Sequence, residues 1–348
     1  MGQQGVSVII CTYNGAQRLP KTLRHLANQV TPPGLPWEVI VVDNNSNDNT
    51  FDAVNTEWAS YNTAIAFTLA KQPKPGVSFA REMGIELSKY GYLIQCDDDN
   101  WLAENYVAKV FELLERNPQI GIVGGIAVGA FETTPPDWFD KFSTSYAVGQ
   151  RKNESMPINW LASAGVGIRK EALTKLKSVN FHHILSGRKG KNLLAGDDLE
   201  LCAAINAVGY MVYFSTELSF VHYMTANRLT WSYFKKMVKN VERPKTVFDM
   251  YTIVDRLLKQ NKTANFGIVY KILWADIYSH IKIKCTTIRK ALRFSKSLIM
   301  EIEGDPYGYF NRYCLHYLIY LAFNRKEIKQ RYLTIEAFYK RVERQSNV

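Results

Sequence analysis

Three consecutive carboxylates, Asp97, Asp98 and Asp99, follow directly on the apolar run Tyr92-Leu-Ile-Gln-Cys96. Acids forced together at the end of a strand repel one another, and each charge disfavours ionisation of its neighbours unless a cation compensates. A hard divalent ion, Mn2+ or Mg2+, suits oxygen ligands and is commonly held together with substrate phosphates. A second acidic group, Gly196-Asp197-Asp198-Leu199-Glu200, stands before the helical pattern of Leu201, Ile205 and Val208. First-turn amides and the helix dipole favour an anion there, so Asp198 is expected to be ionised and able to accept a proton.

The elements that must position these groups are legible in the first 130 residues. Val6-Ser-Val-Ile-Ile-Cys11, Val39-Ile-Val-Val42 and Tyr92-Leu-Ile-Gln95 read as strands covered on both faces. Between them, patterns such as Tyr106, Val107, Val110, Phe111, Leu113 and Leu114 have the spacing of a helix buried on one side. Strand and helix in alternation imply an α/β fold, a doubly wound and mostly parallel sheet. Its ligand site lies beyond the carboxyl ends of the strands. Thr12, Tyr13 and Asn14 collect there after the first strand, Asp43 after the second, and the acidic triplet after a later one.

Taken in order, these motifs resemble the family 2 glycosyltransferases of the GT-A fold, over about Val6 to His222. Thr12-Tyr-Asn14 looks like the family's opening strand end, and Val41 to Thr50 is similar to its Val-Asp-Asp-x-Ser-x-Asp-x-Thr, with Asn44 in place of the second Asp. Gly76-Val-Ser-Phe-Ala-Arg81 resembles its Gly-x-x-x-Ala-Arg-Asn element, with Glu82 where Asn is usual. The triplet matches its DxD motif, and Asp197-Asp198 its Glu-Asp pair. The resemblance implies that Thr12, Tyr13, Asn14, Asp43, Arg81, Asp97 and Asp98 contact a nucleotide-sugar donor, a uridine one by preference. It implies that Asp99 and His222 hold Mn2+ or Mg2+, that Asp198 is the catalytic base beside Asp197, and that Trp160, Gly165 and Glu200 lie on the acceptor side. The activity implied is inverting sugar transfer to a hydroxyl of a glycan in cell-surface polysaccharide assembly.

The rest of the chain bounds that reading. Of the 348 residues 47% are hydrophobic and 22% charged, the balance of a folded globular protein. The start lacks a basic segment followed by an apolar one, and no uninterrupted apolar run reaches the ~18 residues of a membrane span. The five cysteines, Cys11, Cys96, Cys202, Cys285 and Cys314, fall singly with no metal-type spacing, which leads us to expect a reducing cytoplasm. Residues 241–348 hold 20 Lys/Arg against 10 Asp/Glu, whereas residues 1–240 hold 23 against 22. We therefore expect a catalytic domain over 1–240, with a donor half to residue 130 and an acceptor half after it, then a basic helical region over 241–348. In that region Ile268, Ile272, Leu273, Ile277, His280 and Ile281 are expected to form one helix face, with Lys271, Lys282 and Lys284 off it or at its end. A basic amphipathic helix suits a peripheral position on an anionic membrane at its inner face, and so an acceptor carried on lipid.

Rival functions lack their signatures. A nicotinamide dehydrogenase should show GxGxxG after its first strand, where this chain has Cys11-Thr-Tyr-Asn-Gly-Ala16. A nucleotidyltransferase should show a Gly-rich basic loop at the same place, and no nucleic-acid motif accompanies the positive charge. The remaining alternative is a glycan-binding protein that keeps the fold without turnover.

Overall fold

The computed structural model describes residues 3–150, 152–185, 196–239, 241–284 and 303–346; Cys285 lies outside them. Four parallel strands form one half of the sheet: β1 (Gln3–Thr12), β2 (Trp37–Asp43), β3 (Ala66–Lys71) and β4 (Tyr90–Asp97). The other half contains β5 (Asn100–Leu102), β6 (Ile120–Phe131), β7 (Met156–Pro157), β8 (Val166–Arg169) and β9 (Met211–Met224). The order is β3-β2-β1-β4-β8-β6-β9-β5, with β7 against β9. Pairing is antiparallel at β4–β8, β6–β8, β5–β9 and β7–β9, and parallel at β6–β9.

Helices α1 (Leu19–Ala27), α2 (Thr50–Ser60), α3 (Val77–Leu87) and α4 (Tyr106–Arg116) belong to the first half. Then come α5 (Lys170–Ser178), α6 (Asp197–Ala207), α7 (Trp231–Met237), α8 (Glu242–Lys259), α9 (Phe266–Lys284), α10 (Pro306–Phe323) and α11 (Arg325–Ser346). All seven residues of β2 are buried, as its unbroken apolar run requires of a strand covered on both faces. The α4 face named from its spacing buries Tyr106, Val107, Val110, Leu113 and Leu114.

Register places the strand ends level. Cys11 pairs with Asp97 across β1 and β4, and Thr12 with Asp43 across β1 and β2. Loops leaving these strands therefore open on one crevice.

One residue ties β8 to the end of α4 and the start of β6. Arg169, buried at the end of β8, donates from Nη2 to the carbonyls of Leu114 (2.6 Å) and Asn117 (3.1 Å), and from Nε to that of Ile120 (3.0 Å). Leu114 and Asn117 carry carbonyls at the α4 C-terminus, which lack helical partners and attract positive charge. Replacing Arg169 with Met keeps the apolar stem but removes all three hydrogen bonds. A loss of about 3 kcal/mol of stability is expected, read as a lowered urea midpoint at unchanged m-value.

The helices after residue 241 share one core with the sheet. Val247, Met250 and Tyr251 of α8, Leu273 of α9, Leu321 of α10 and Phe338 of α11 pack in the same cluster as Ala204 of α6 and Phe214 of β9. On α9 the buried stripe is Val269, Leu273 and Ile277, while Ile268 and His280 are exposed. The expected face holds at Ile272, Leu273, Ile277 and Ile281, which lie in or against the core, and departs at Ile268, whose place Val269 takes, and at His280. Among the described residues no helix is long and apolar enough to cross a membrane.

Candidate active site

The acidic triplet does three different jobs. Asp98 accepts from Arg18 Nε (3.1 Å) and Nη2 (2.7 Å), and from Thr12 Oγ1 (2.6 Å). Gly15 packs so closely on this corner that a Cβ there would lie 2.1 Å from Thr12 Oγ1. The side chains of Asp98 and Thr12, expected on the donor, are thus engaged with Arg18 and with each other, tying β1, α1 and β4 into one corner. Asp97 has no hydrogen bond to its carboxylate among the described residues and remains available to a ligand.

Asp99 is buried beside the last long strand. Pairing of Asn100 with His222 across β5 and β9, and a bond from the Tyr223 amide to the Asp99 carbonyl (2.9 Å), place His222 Nε2 3.5 Å from Asp99 Oδ1. Arg228 Nη1 donates to Asp99 Oδ2 at 2.7 Å. Burial pushes the Asp99 carboxyl up, but His222 and then Arg228 outweigh it and hold it down to about 2. Two guanidiniums therefore compensate the triplet whose repulsion suggested a metal. Neither Arg18 nor Arg228 stood out in the sequence, since each lies far along the chain from the acid it meets.

A divalent cation fits here only in part through protein ligands. Asp99 and His222 offer one carboxylate and one imidazole, and His222 Nδ1 is buried with no partner among the described residues. No group of three or more His, Cys, Asp or Glu side chains placed to hold a metal ion occurs among the described residues. Two ligands suit a metal that completes its shell with phosphate and water.

Across the crevice, Arg81 of α3 donates to Asp197 Oδ2 (2.5 Å) and to Ser163 Oγ (3.0 Å). Its charge also acts on Asp97 and on Asp198. One guanidinium thus stands between the two acidic groups. Asp198, the second residue of α6, accepts from the Leu199 amide at 2.9 Å. Burial first, and the Asp197 charge second, nevertheless raise its pKa. The first-turn amides and Arg81 do favour the anion, as expected of the helix terminus, but desolvation and a like charge outweigh them.

Two residues expected on the acceptor side are buried in the fold. Glu200 is fully buried, and its oxygens accept from the amides of Ile184 (3.0 Å) and Leu185 (2.9 Å) and from Tyr251 Oη (3.2 Å). It fastens Ile184 and Leu185 to α6 and α8. Gly165 is buried at φ +61°, where a Cβ would lie 2.8 Å from the Phe220 ring; its close approach is to that ring. Trp160 packs partly buried against the core.

At the donor end, Asp43 is buried and takes the Ser46 amide at 3.0 Å, and Tyr13 is 55% exposed. Asn14, at φ +50°, braces the loop after β2 through the amides of residues 14 and 47. Asn44 donates to the Lys74 carbonyl (2.8 Å) and accepts from the Gly76 amide (2.7 Å). An Asp could not donate, so the departure from the family pattern has a local reason.

The family described as Glycosyl transferase family 2 matches residues 7–176, which include the triplet and Arg81. Residues 7–176 carry the family 2 glycosyl transferase pattern. It is similar to the poly(ribitol-phosphate) beta-N-acetylglucosaminyltransferase TarP of Staphylococcus aureus, 24% identical over 85% of this chain and 92% of that protein. The fold is similar to that of S. aureus TarS in complex with UDP-GlcNAc, with TM-score 0.54 and 14% identity over 99% of this chain and 92% of that one. It also resembles a mannosyltransferase from Pyrobaculum calidifontis in complex with GDP-Man and Mn2+, with TM-score 0.50 and 18% identity over 97% and 86% of the two chains. The protein is a glycosyltransferase on a GT-A-type sheet with a helical C-terminal region.

Proposed function

We propose that this glycosyltransferase moves a sugar from a UDP donor to a hydroxyl of a cell-surface polymer, inverting the anomeric carbon. The supporting observation is Arg81, paired with Asp197 at 2.5 Å and acting electrostatically on both Asp97 and Asp198. Donor and base then border one crevice. The similarity to TarP, whose name specifies a poly(ribitol-phosphate) acceptor, supports a polymeric acceptor. A net charge of +11 suits one that carries phosphates.

In this reading Asp43 and Asp97 hold the nucleoside. Asp198 takes the proton of the attacking hydroxyl as its oxygen bonds to the anomeric carbon. The bond to the diphosphate breaks on the opposite face, and the nucleoside diphosphate leaves with the electron pair. Asp99 and His222 would hold Mn2+ or Mg2+, which when bound supplies Lewis-acid neutralisation of the leaving group. Arg81 and Asp197 act as positioning residues, fixing the first turn of α6 against α3. The exposed Lys271 and Lys282 of α9 support a peripheral position on anionic lipid at the cytoplasmic face.

The test is a melting-point screen of UDP, GDP and dTDP sugars with and without Mn2+. A ligand at 100 times its Kd stabilises the folded state by about 2.7 kcal/mol. UDP sugars should raise the melting point by several degrees, and more with Mn2+. If no nucleotide sugar moves it, the proposal fails and glycan binding without turnover takes its place.

A further inference from the structure

The ion pair between Arg228 and Asp99 is short, 2.7 Å, and shielded, with the two side chains 15% and 12% exposed. The other oxygen of Asp99 faces Asn100 Nδ2 at 3.2 Å and His222 Nε2 at 3.5 Å. Both carboxylate oxygens are therefore taken before any metal arrives. A divalent ion reaching Asp99 meets a guanidinium on the same group, and two cations sharing one carboxylate at low dielectric repel strongly.

Arg228 is not fully satisfied where it lies. Its Nε is buried with no hydrogen-bond partner among the described residues, a costly state for a donor on a charged group. Its backbone is anchored on both sides: Met224 and Leu229 are buried, and Thr230 Oγ1 accepts from the Tyr233 amide at the start of α7. A change of partner therefore needs only side-chain rotation. The planar fork of Arg matches two phosphate oxygens at once, which a single carboxylate oxygen does not exploit.

We infer that Arg228 is an exchangeable counterion: it occupies Asp99 while the site lacks a metal, yields to a divalent cation, and then pairs with the diphosphate of the donor. The inference rests on the metal reading above and adds a binding order to it. Metal alone binds poorly because it must displace Arg228 to no new partner. A nucleoside diphosphate provides that partner, so each ligand strengthens the other by the same factor.

Titrating Mn2+ into the full chain without nucleotide, followed by calorimetry or by the electron-spin signal of free Mn2+, tests this. Arg228→Gln removes the competing charge and keeps a side-chain donor. Its Mn2+ affinity should rise by about 10-fold over wild type, while the enhancement of Mn2+ binding by UDP shrinks. Arg228→Lys keeps the charge without the fork and should fall between the two; it also serves if the Gln variant does not fold. An unchanged or weaker affinity for Mn2+ alone in a folded variant overturns the exchange. If that result comes with normal UDP-dependent Mn2+ binding, only the exchange is lost. If wild type and variants take up no Mn2+ with or without UDP, the metal reading falls with it.

Discussion

Asp198→Asn is expected to lower turnover by about 10²-fold to 10⁴-fold while UDP affinity stays at its wild-type value. The Asn keeps the shape of the side chain and can still accept from the Leu199 amide, so α6 should hold its first turn. What it loses is the ability to take a proton as the acceptor oxygen attacks. The pH profile gives an independent reading. A carboxylate base works only when ionised, so activity is present above its pKa and is lost as pH falls through it. Burial and the Asp197 charge raise that pKa, so the acid limb of kcat/KM should lie above the ordinary carboxylate range. Asp197→Asn removes the like charge and leaves Arg81 unpaired with it, and both changes move the limb to lower pH. Wild-type turnover in Asp198→Asn, with a polymer acceptor and a saturating donor, would remove Asp198 from the base role.

Much of the frame could be read because it depends on local pattern. The run from Val39 to Val42 has no polar residue to turn outward, so a strand buried on both faces was the one economical reading. The level ends of β1, β2 and β4 followed from it, and so did the convergence of Thr12, Asp43 and the triplet. Partner choice was not local. Nothing near Asp98 in the chain points to Arg18, 80 residues away, and nothing near Asp99 points to Arg228, 129 residues away. The same blindness misplaced Glu200. As the fourth residue of an acidic run it reads like part of the site, yet the helix turns it inward, where two amides and a tyrosine wait for it. On α9 Ile268 was placed on the buried face instead of Val269 because the two are equally apolar, and only packing against α8, α10 and α11 distinguishes them. Arg169 shows the converse: a charged residue in an apolar strand was silent in sequence, although three carbonyls accept from it.

Asp99 carries the second large expected effect, and the choice of substitution separates its two duties. In the folded protein Asp99 balances the buried Arg228, so Asp99→Ala leaves that charge with no counterion, a change that costs about 3–5 kcal/mol where a buried pair is broken. A drop in activity of that variant alone would be ambiguous between lost ligation and lost structure. Asp99→Asn retains an oxygen for Arg228 and removes only the negative charge, so its melting point should fall less. Both variants should lose the metal effect on the donor. We expect wild type to bind UDP at least about 10-fold more tightly with Mn2+ than without it, and both variants to bring that ratio close to one. UDP affinity in the absence of metal should not fall in Asp99→Asn, because the nucleoside contacts assigned to Asp43 and Asp97 are untouched and Arg228 is freer to meet the diphosphate. The ratio is the decisive quantity, since loss of packing lowers both affinities together and leaves it intact. An Asp99→Asn protein that keeps the full Mn2+ enhancement would show that the metal is held elsewhere, and that the Asp99, His222 and Arg228 cluster serves only to lock β5 against β9.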